Sequence, residues 1–404
     1  MSHLPSIGRR GLLLGLAATA VAAQSRLAFA AMPAGVLPGE NRLVVVILRG
    51  AMDGMAALAP YGDANYRALR GSLALPEPGQ EGGLLDCGGF FGLNPSLGAL
   101  HGMFRAGEML PIHAVAGPYR NRSHFEAQDM LESGAVERGG LTSGWLNRAL
   151  SGFAARPKGD ADLGLAVGLS LPLLMRGPQH VGMWAPPRPV RPAPDLYARV
   201  ADLVHADPLL GPAVQDGLRG RGFASEVLQE ERGVRGGFLA LAGIAGKLMA
   251  APDGPRVAAL EIGGWDTHAD QTRRLNPVLS QLDGGMNALK AQLGPAWTHT
   301  AVLVMTEFGR TARVNGNNGT DHGTGGVAFV LGGAVAGGRV LADWPGLRDG
   351  QLFENRDLAP TRDLRAVAKG LLRDHLRLPP QAVAAAFPES EGVVGERKVV
   401  RGGA

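Results

Sequence analysis

Side chains able to bind a cation or attack an ester gather in a few short segments of this 404-residue sequence. Asp53 stands in Arg49-Gly50-Ala51-Met52-Asp53-Gly54, and Ser123 follows Gly117-Pro118-Tyr119-Arg120-Asn121-Arg122. Asp266 and His268 lie in GGWDTH, Glu307 and Arg310 in TEFGRT, and Asp321 and His322 in GTDHGTGG. Asp, Glu and His offer oxygen and nitrogen donors that suit Zn, Mn, Fe, Ca or Mg. A divalent metal held by some of Asp53, Asp266, His268, Glu307, Asp321 and His322 would lower the pKa of a bound water or hydroxyl. It would also neutralise a phosphoryl or sulfuryl oxygen. Ser123 opens a helical pattern, where backbone N–H groups attract anions. Arg120 and Arg122 beside it are suited to clamp an oxyanion.

Each of these residues has a plainer role open to it. Asp53 before Gly54 is also an ordinary turn residue. Asp266 can cap a helix with His268 nearby by chance, and Asp321 sits in a Gly/Asn-rich loop where turn aspartates are common. Glu307 can be a buried acid paired with Arg310. Ser123 can be a helix cap, with Glu126 three residues on completing a capping box. A single site, however, accounts for all of the segments at once.

The elements that position these segments are legible from their apolar runs. Leu43–Leu48, Met109–Ala116, Arg256–Ile262, Thr300–Thr306 and Val327–Leu331 are continuous rather than alternating, as suits strands covered on both faces. Helical patterns cover Ser123–Ser133, Gln271–Leu293 and Thr361–Leu376. Strands alternating with helices predict an α/β fold with a central, mostly parallel sheet flanked by helices. In such a sheet ligands bind beyond the carboxyl ends of the strands. Every candidate segment follows a predicted strand or leads into one. The Pro-rich stretch from Gly177 to Pro194 predicts an irregular connection into a helical insertion, so that an insertion spans about 177–250 of one domain, 31–388. Residues 389–404 are polar and Gly-rich and predict a loose tail.

Composition narrows the function. One cysteine, Cys87, excludes an internal disulfide, a Cys-ligated zinc ribbon and a CxxC redox site. Aromatics are 5% of the chain, which argues against a large stacking surface for sugars or bases. The formal net charge is +4, but Arg9, Arg10 and Arg26 lie in the first thirty residues, which hold no acid. The remainder is close to neutral and predicts no electrostatic grip on nucleic acid. Arg9-Arg10, a short apolar run to Ala23 and Ala28-Phe29-Ala30 form a charged start, an apolar middle and a small-residue cleavage signal. The arginine pair marks a twin-arginine signal peptide over 1–30, so the twin-arginine translocase is the expected partner during export. The apolar run falls short of the ~20 residues a spanning helix needs, so the mature chain is expected in the periplasm or secreted, without a membrane anchor.

Taken together, LVVVILRGAMDGMAALAPYGD, RSHFEAQDMLESG, TSGWLNRAL, GGWDTH, TEFGRT and GTDHGTGG resemble the domain-of-unknown-function 1501 family. Its members are typically bacterial, carry twin-arginine signals and are placed in the alkaline-phosphatase/sulfatase-like superfamily. The resemblance runs from about residue 41 to 375. It implies an alkaline-phosphatase-like sandwich. It also implies that Asp53 is the first-strand metal Asp, that Ser123 is the covalent nucleophile, and that Asp266, His268 and His322 are metal ligands. Thr306-Glu307-Phe308-Gly309 falls where the superfamily has a strand ending in Asp-His-Gly; here Glu307 and Phe308 replace the acid and the His. In a second alignment Asp321-His322-Gly323 takes that place.

The expectation is an exported, metal-dependent hydrolase of small anionic phosphate or sulfate esters. Ser123 would attack, and Arg120 or Arg122 would hold the oxyanion. Its rival is a non-catalytic exported binding or assembly protein that keeps the fold, which Phe308 favours. A nicotinamide oxidoreductase is disfavoured, since no GxGxxG follows LVVVIL. Export is testable directly. Replacing Arg9 and Arg10 with lysine should strand the precursor in the cytoplasm, and the wild-type mature chain should begin at Ala31. Normal export of wild type in a strain lacking the twin-arginine translocase would contradict this.

Overall fold

The computed structural model describes residues 41–137, 139–153, 162–186, 200–201, 203–204, 207, 210–228 and 237–403. Residues 1–30, expected as a signal peptide, and most of the Pro-rich connection lie outside them. The first strand, β1 (Arg42–Arg49), sets the architecture. Val44, Val46 and Leu48 point into one core and Leu43, Val45 and Ile47 into the other. A strand buried on both faces cannot alternate with polar residues, which is why its interior, Leu43–Leu48, is apolar throughout.

A small sheet follows, made of β2 (Leu58–Ala59), β3 (Leu85–Asp86) and β4 (Gly92–Leu93). The remaining strands join β1: β5 (Met109–Ala116), β6 (Gly164–Val167), β7 (Val181–Trp184), β8 (Val257–Gly263), β9 (Thr300–Thr306), β10 (Gly326–Leu331) and β11 (Arg362–Asp363). The eight-stranded order is β11-β5-β10-β9-β1-β8-β6-β7. β10 runs antiparallel to both neighbours; the other pairs are parallel. One helical layer holds Gly98–Arg105, Phe238–Ala250 and Gln271–Leu293; the opposite layer holds Trp145–Leu150, Leu364–Gly370 and Pro380–Ala386. The expected α/β fold with a mostly parallel sheet between helices is therefore present.

Two features place the site. First, β1, β8 and β9 end together, since Leu48 is in register with both Ile262 and Thr306. Second, β10 is reversed, so the segment entering it returns to the carboxyl edge of its neighbours. Close approach of that segment demands glycine: a Cβ on Gly309 would lie 1.9 Å from the Gly325 carbonyl oxygen.

Three expectations differ from the structure. The region expected as an insertion over 177–250 includes β7 at the sheet edge and the helix Phe238–Ala250. That helix buries Phe238, Ala242, Ala245 and Leu248 in the main core. The segment 389–404, expected to be loose, is packed in its described part: Val399 and Val400 are buried, and Val400 bridges Val335. An apolar pair amid polar and Gly residues anchors it. The predicted helix Thr361–Leu376 is regular only over Leu364–Gly370, where Asp363 caps it, and loosens into a wider turn at Leu371–His375.

Two buried histidines tie the sheet together in neutral form. His375 Nε2 donates to the Arg42 carbonyl at 2.8 Å. His113 Nε2 donates to the Leu58 carbonyl at 2.9 Å, while its Nδ1 accepts the Ala114 N–H at 2.8 Å. Burial lowers both to about 4. An unfolded His titrates near ~6.5, so the unfolded chain binds more protons between ~6.5 and ~4. Stability present above that window should therefore fall as pH drops through it, by about 3 kcal/mol per histidine. Urea unfolding across the window measures the loss. His375→Gln, which keeps a donor for Arg42, should flatten the slope by about one proton; an unchanged slope would contradict the assignment.

Candidate metal centre

At the carboxyl edge, segments from four strand ends meet. His124 begins the helix His124–Ser133 after β5, and Asp266 and His268 follow β8. Glu307 and Arg310 follow β9, and Asp321 and His322 lie in the segment returning to β10. His124, Asp266 and His322 each present one atom, all within 4.8 Å of one another. His124 Nε2 is 3.0 Å from His322 Nε2 and 3.6 Å from Asp266 Oδ1. His322 Nε2 is 3.3 Å from the same oxygen. His268 Nε2 joins this edge, 2.9 Å from His322 Nε2 and 3.0 Å from Asp266 Oδ1.

The outer nitrogen of each imidazole is committed. His124 Nδ1 lies 2.8 Å from Glu307 Oε1, His268 Nδ1 3.1 Å from Asp321 Oδ1, and His322 Nδ1 3.0 Å from the Arg122 carbonyl. Carboxylates and carbonyls only accept, so each Nδ1 carries the proton and each Nε2 of a neutral ring a lone pair. The inner faces thus set lone pair against lone pair. One proton can bridge one such contact; a cation satisfies them all. Two ligands at 2.0–2.1 Å from a tetrahedral Zn sit about 3.4 Å apart, close to the spacings here. Carboxylate and carbonyl partners on the far nitrogens are also how metal-binding histidines are held.

The surrounding charges favour a deprotonated set of acids. Burial pushes Glu307 upward, but bonds from His124 and Gln128 outweigh it and hold the carboxyl below its usual range. Burial likewise raises Asp266, and the Arg310 guanidinium more than reverses the effect. Asp321 is lowered too: Asn315 and His268 outweigh its burial. His322 is lowered by burial, with His124 and Arg310 adding to it, whereas the Glu307 bond raises His124. A bound cation would take the place of the proton that Glu307 favours on His124.

Not every residue singled out in the sequence joins this cluster. Asp266, His268 and His322 supply its inner atoms, while Glu307 and Asp321 stand behind the imidazoles. Glu307 Oε1 also accepts from Gly50 N and Gln128 Nε2, each at 2.9 Å. Asp53, expected as a ligand, is buried and bonded to other groups. It pairs with the buried Arg70, accepts from Gln271 at 2.6 Å and caps the short helix Gly54–Ala57 through Met55 N and Ala56 N. Arg122 is likewise engaged elsewhere, pairing with Asp357 and Glu354. Arg120 hydrogen-bonds the Gly117 and Tyr119 carbonyls.

Ser123 sits at the start of its helix without capping it, which departs from the expected capping box. Its hydroxyl lies against the Tyr119 phenol, and that phenol bonds Glu126, the other half of the expected box, at 2.6 Å. Phe308 is a wall rather than a gap, its ring centroid 4.9 Å from that of His124 and 5.2 Å from that of His322. His124 was not singled out in the sequence. Its position one residue beyond a strand-following Ser was the available signal.

The family described as "Protein of unknown function (DUF1501)" matches residues 83–387. The chain belongs to this family. Comparison of the DUF1501 chain with curated proteins gives no match. Solved structures similar to it include the zinc complex of the C-terminal periplasmic domain of EcEptC from Escherichia coli, at 9% identity and a TM-score of 0.32. That match covers 73% of this chain and 74% of the other. The alkaline phosphatase of the Antarctic bacterium TAB5 is 10% identical with a TM-score of 0.35, over 76% and 95% of the two chains. BT1596, a 2-O glycosaminoglycan sulfatase, is 9% identical with a TM-score of 0.34, over 88% and 73%.

The separation of Asp53 from the cluster gives a clear test in the DUF1501 protein. Asp53→Ala leaves Arg70 buried and unpaired, which should cost about 3–5 kcal/mol. Because its oxygens face Arg70 and Gln271, the folded variant should bind metal as wild type does. Denaturant unfolding and metal titration measure the two effects; loss of metal with full stability would restore Asp53 as a ligand.

Proposed function

We propose that this DUF1501 protein is exported by the twin-arginine route and is a hydrolase of phosphate or sulfate esters that depends on one divalent cation. The facing lone pairs of His124, His268 and His322 around the Asp266 carboxylate carry this reading. The cation would be held by His124, Asp266 and His322, with His268 at the same edge, and would supply Lewis-acid charge to an ester oxygen. Among the other acids named from the sequence, Asp53 and Glu307 are already saturated by protein donors, so a single cation is expected.

The protein's own groups support oxyanion chemistry beside the cation. Side chains of Asp266 and His268 are 46% and 43% exposed, so a substrate oxygen can reach the cluster. The helix beginning at His124 carries no side-chain cap, which leaves its first N–H groups available to an anion. Ser123 adjoins them with its hydroxyl uncommitted to the helix, as a nucleophile requires.

The wild type should hold about one metal ion per chain and hydrolyse an aryl phosphate or aryl sulfate. Chelation should abolish turnover and re-addition of Zn or Mn restore it. Asp266→Ala and His322→Ala should each lower metal affinity at least about tenfold. Ser123→Ala should keep the metal and lose turnover if Ser123 attacks; full activity would assign the attack to water. A wild type that retains no metal after loading refutes the proposal, and one that binds metal without turnover supports the non-catalytic alternative.

A further inference from the structure

We propose that Asp357 is a positioning residue for the proposed ligand His322, acting through Arg122 and Thr324. The inference rests on the metal reading above only for its consequence; its geometry stands in the protein itself. Asp357 is fully buried. Its Oδ2 accepts from Arg122 Nε and from Thr324 Oγ1, each at 2.8 Å. These donors belong to the two segments that must converge: Arg122 lies two residues before His124, and Thr324 two residues after His322. One carboxylate therefore pins both.

The pinned backbone then acts on the imidazole. Arg122 is held at φ 62°, a left-handed conformation that a side-chain-bearing residue rarely adopts. In that conformation its carbonyl accepts the His322 Nδ1 proton at 3.0 Å. Fixing Nδ1–H fixes the tautomer, and the tautomer is what turns the Nε2 lone pair toward Asp266 and His124. His124 and His268 have a carboxylate for this purpose. His322 has a main-chain carbonyl, so its holder must itself be anchored, and Asp357 supplies the buried part of that anchor, with the exposed Glu354 on the same guanidinium. The turn carrying Asp357 is itself held by the backbone: Phe353 and Asp357 exchange hydrogen bonds, and the Leu358 carbonyl takes the Gly325 N–H at 3.0 Å.

Two variants test this without removing any proposed ligand. Arg122→Gly tolerates the left-handed backbone but cannot reach Asp357. Asp357→Asn keeps an acceptor for Thr324 and loses the charge facing Arg122. In metal-free protein at a pH where imidazoles are neutral, nitrogen NMR of His322 should show the Nδ1–H tautomer in wild type and a mixture of tautomers in Arg122→Gly. Cobalt(II) should bind both variants about 10- to 100-fold more weakly, with an altered ligand-field spectrum, while His124 keeps its tautomer. Retention of the wild-type His322 tautomer in Arg122→Gly overturns the proposal, whatever cobalt does. If no variant or wild type binds cobalt but the tautomer shifts, the positioning role stands and the metal reading fails. Should Asp357→Asn fail to fold, Arg122→Gly decides.

Discussion

The carboxyl edge of the sheet is held together by one buried guanidinium. Arg310 donates to the carbonyls of Gly50, Ala51 and Thr320 at 2.8 Å and to that of Trp265 at 3.4 Å, and it pairs with Asp266. Those partners come from the ends of β1 and β8 and from the segment entering β10. A planar group with five donors in a fixed fork can satisfy four carbonyls and a carboxylate at set angles, more than the three donors of an ammonium can serve. The side chain is fully buried and Asp266 is half-exposed, so the pair reaches from the core to the surface. The geometry of the candidate site therefore depends on a charge that is closed off from solvent. Asp266 is both the counter-ion of Arg310 and the oxygen at the centre of the histidine cluster.

Around that fixed point the imidazoles are arranged from outside inward. Each is oriented by an acceptor on its far nitrogen, and Phe308 packs against the rings of two of them. The apolar ring limits the motions open to His124 and His322. Its presence where a His was expected is compatible with a cation site, because His124 enters the cluster from a different segment.

Much of this was legible in the sequence, and the failures share a cause. The five apolar runs became β1, β5, β8, β9 and β10 with nearly the predicted limits, since continuous burial on two faces leaves an unambiguous pattern. Asp266, His268 and Glu307 were singled out because they follow strands, and Asp321 and His322 because their loop leads into one. Asp53 satisfied the same rule, but its partners Arg70 and Gln271 are set by folding, and burial is invisible in a motif. Arg122 was taken for an anion clamp because Glu354 and Asp357 lie more than 200 residues away in sequence. His124 was overlooked beside Ser123, whose fit to a capping box drew attention to the helix rather than to the edge it faces. Local patterns reported the elements faithfully; they could not report which polar group neutralises which.

The position of β1 has a consequence for the order of events in the cell. It precedes both of its partners by a long stretch of sequence, β8 at Val257–Gly263 and β9 at Thr300–Thr306. Pairings so distant in sequence form late and slowly, because a long loop must close before they return any stabilisation. Until β8 and β9 have been made, the central strand, apolar over Leu43–Leu48, waits without either partner, a state prone to aggregation.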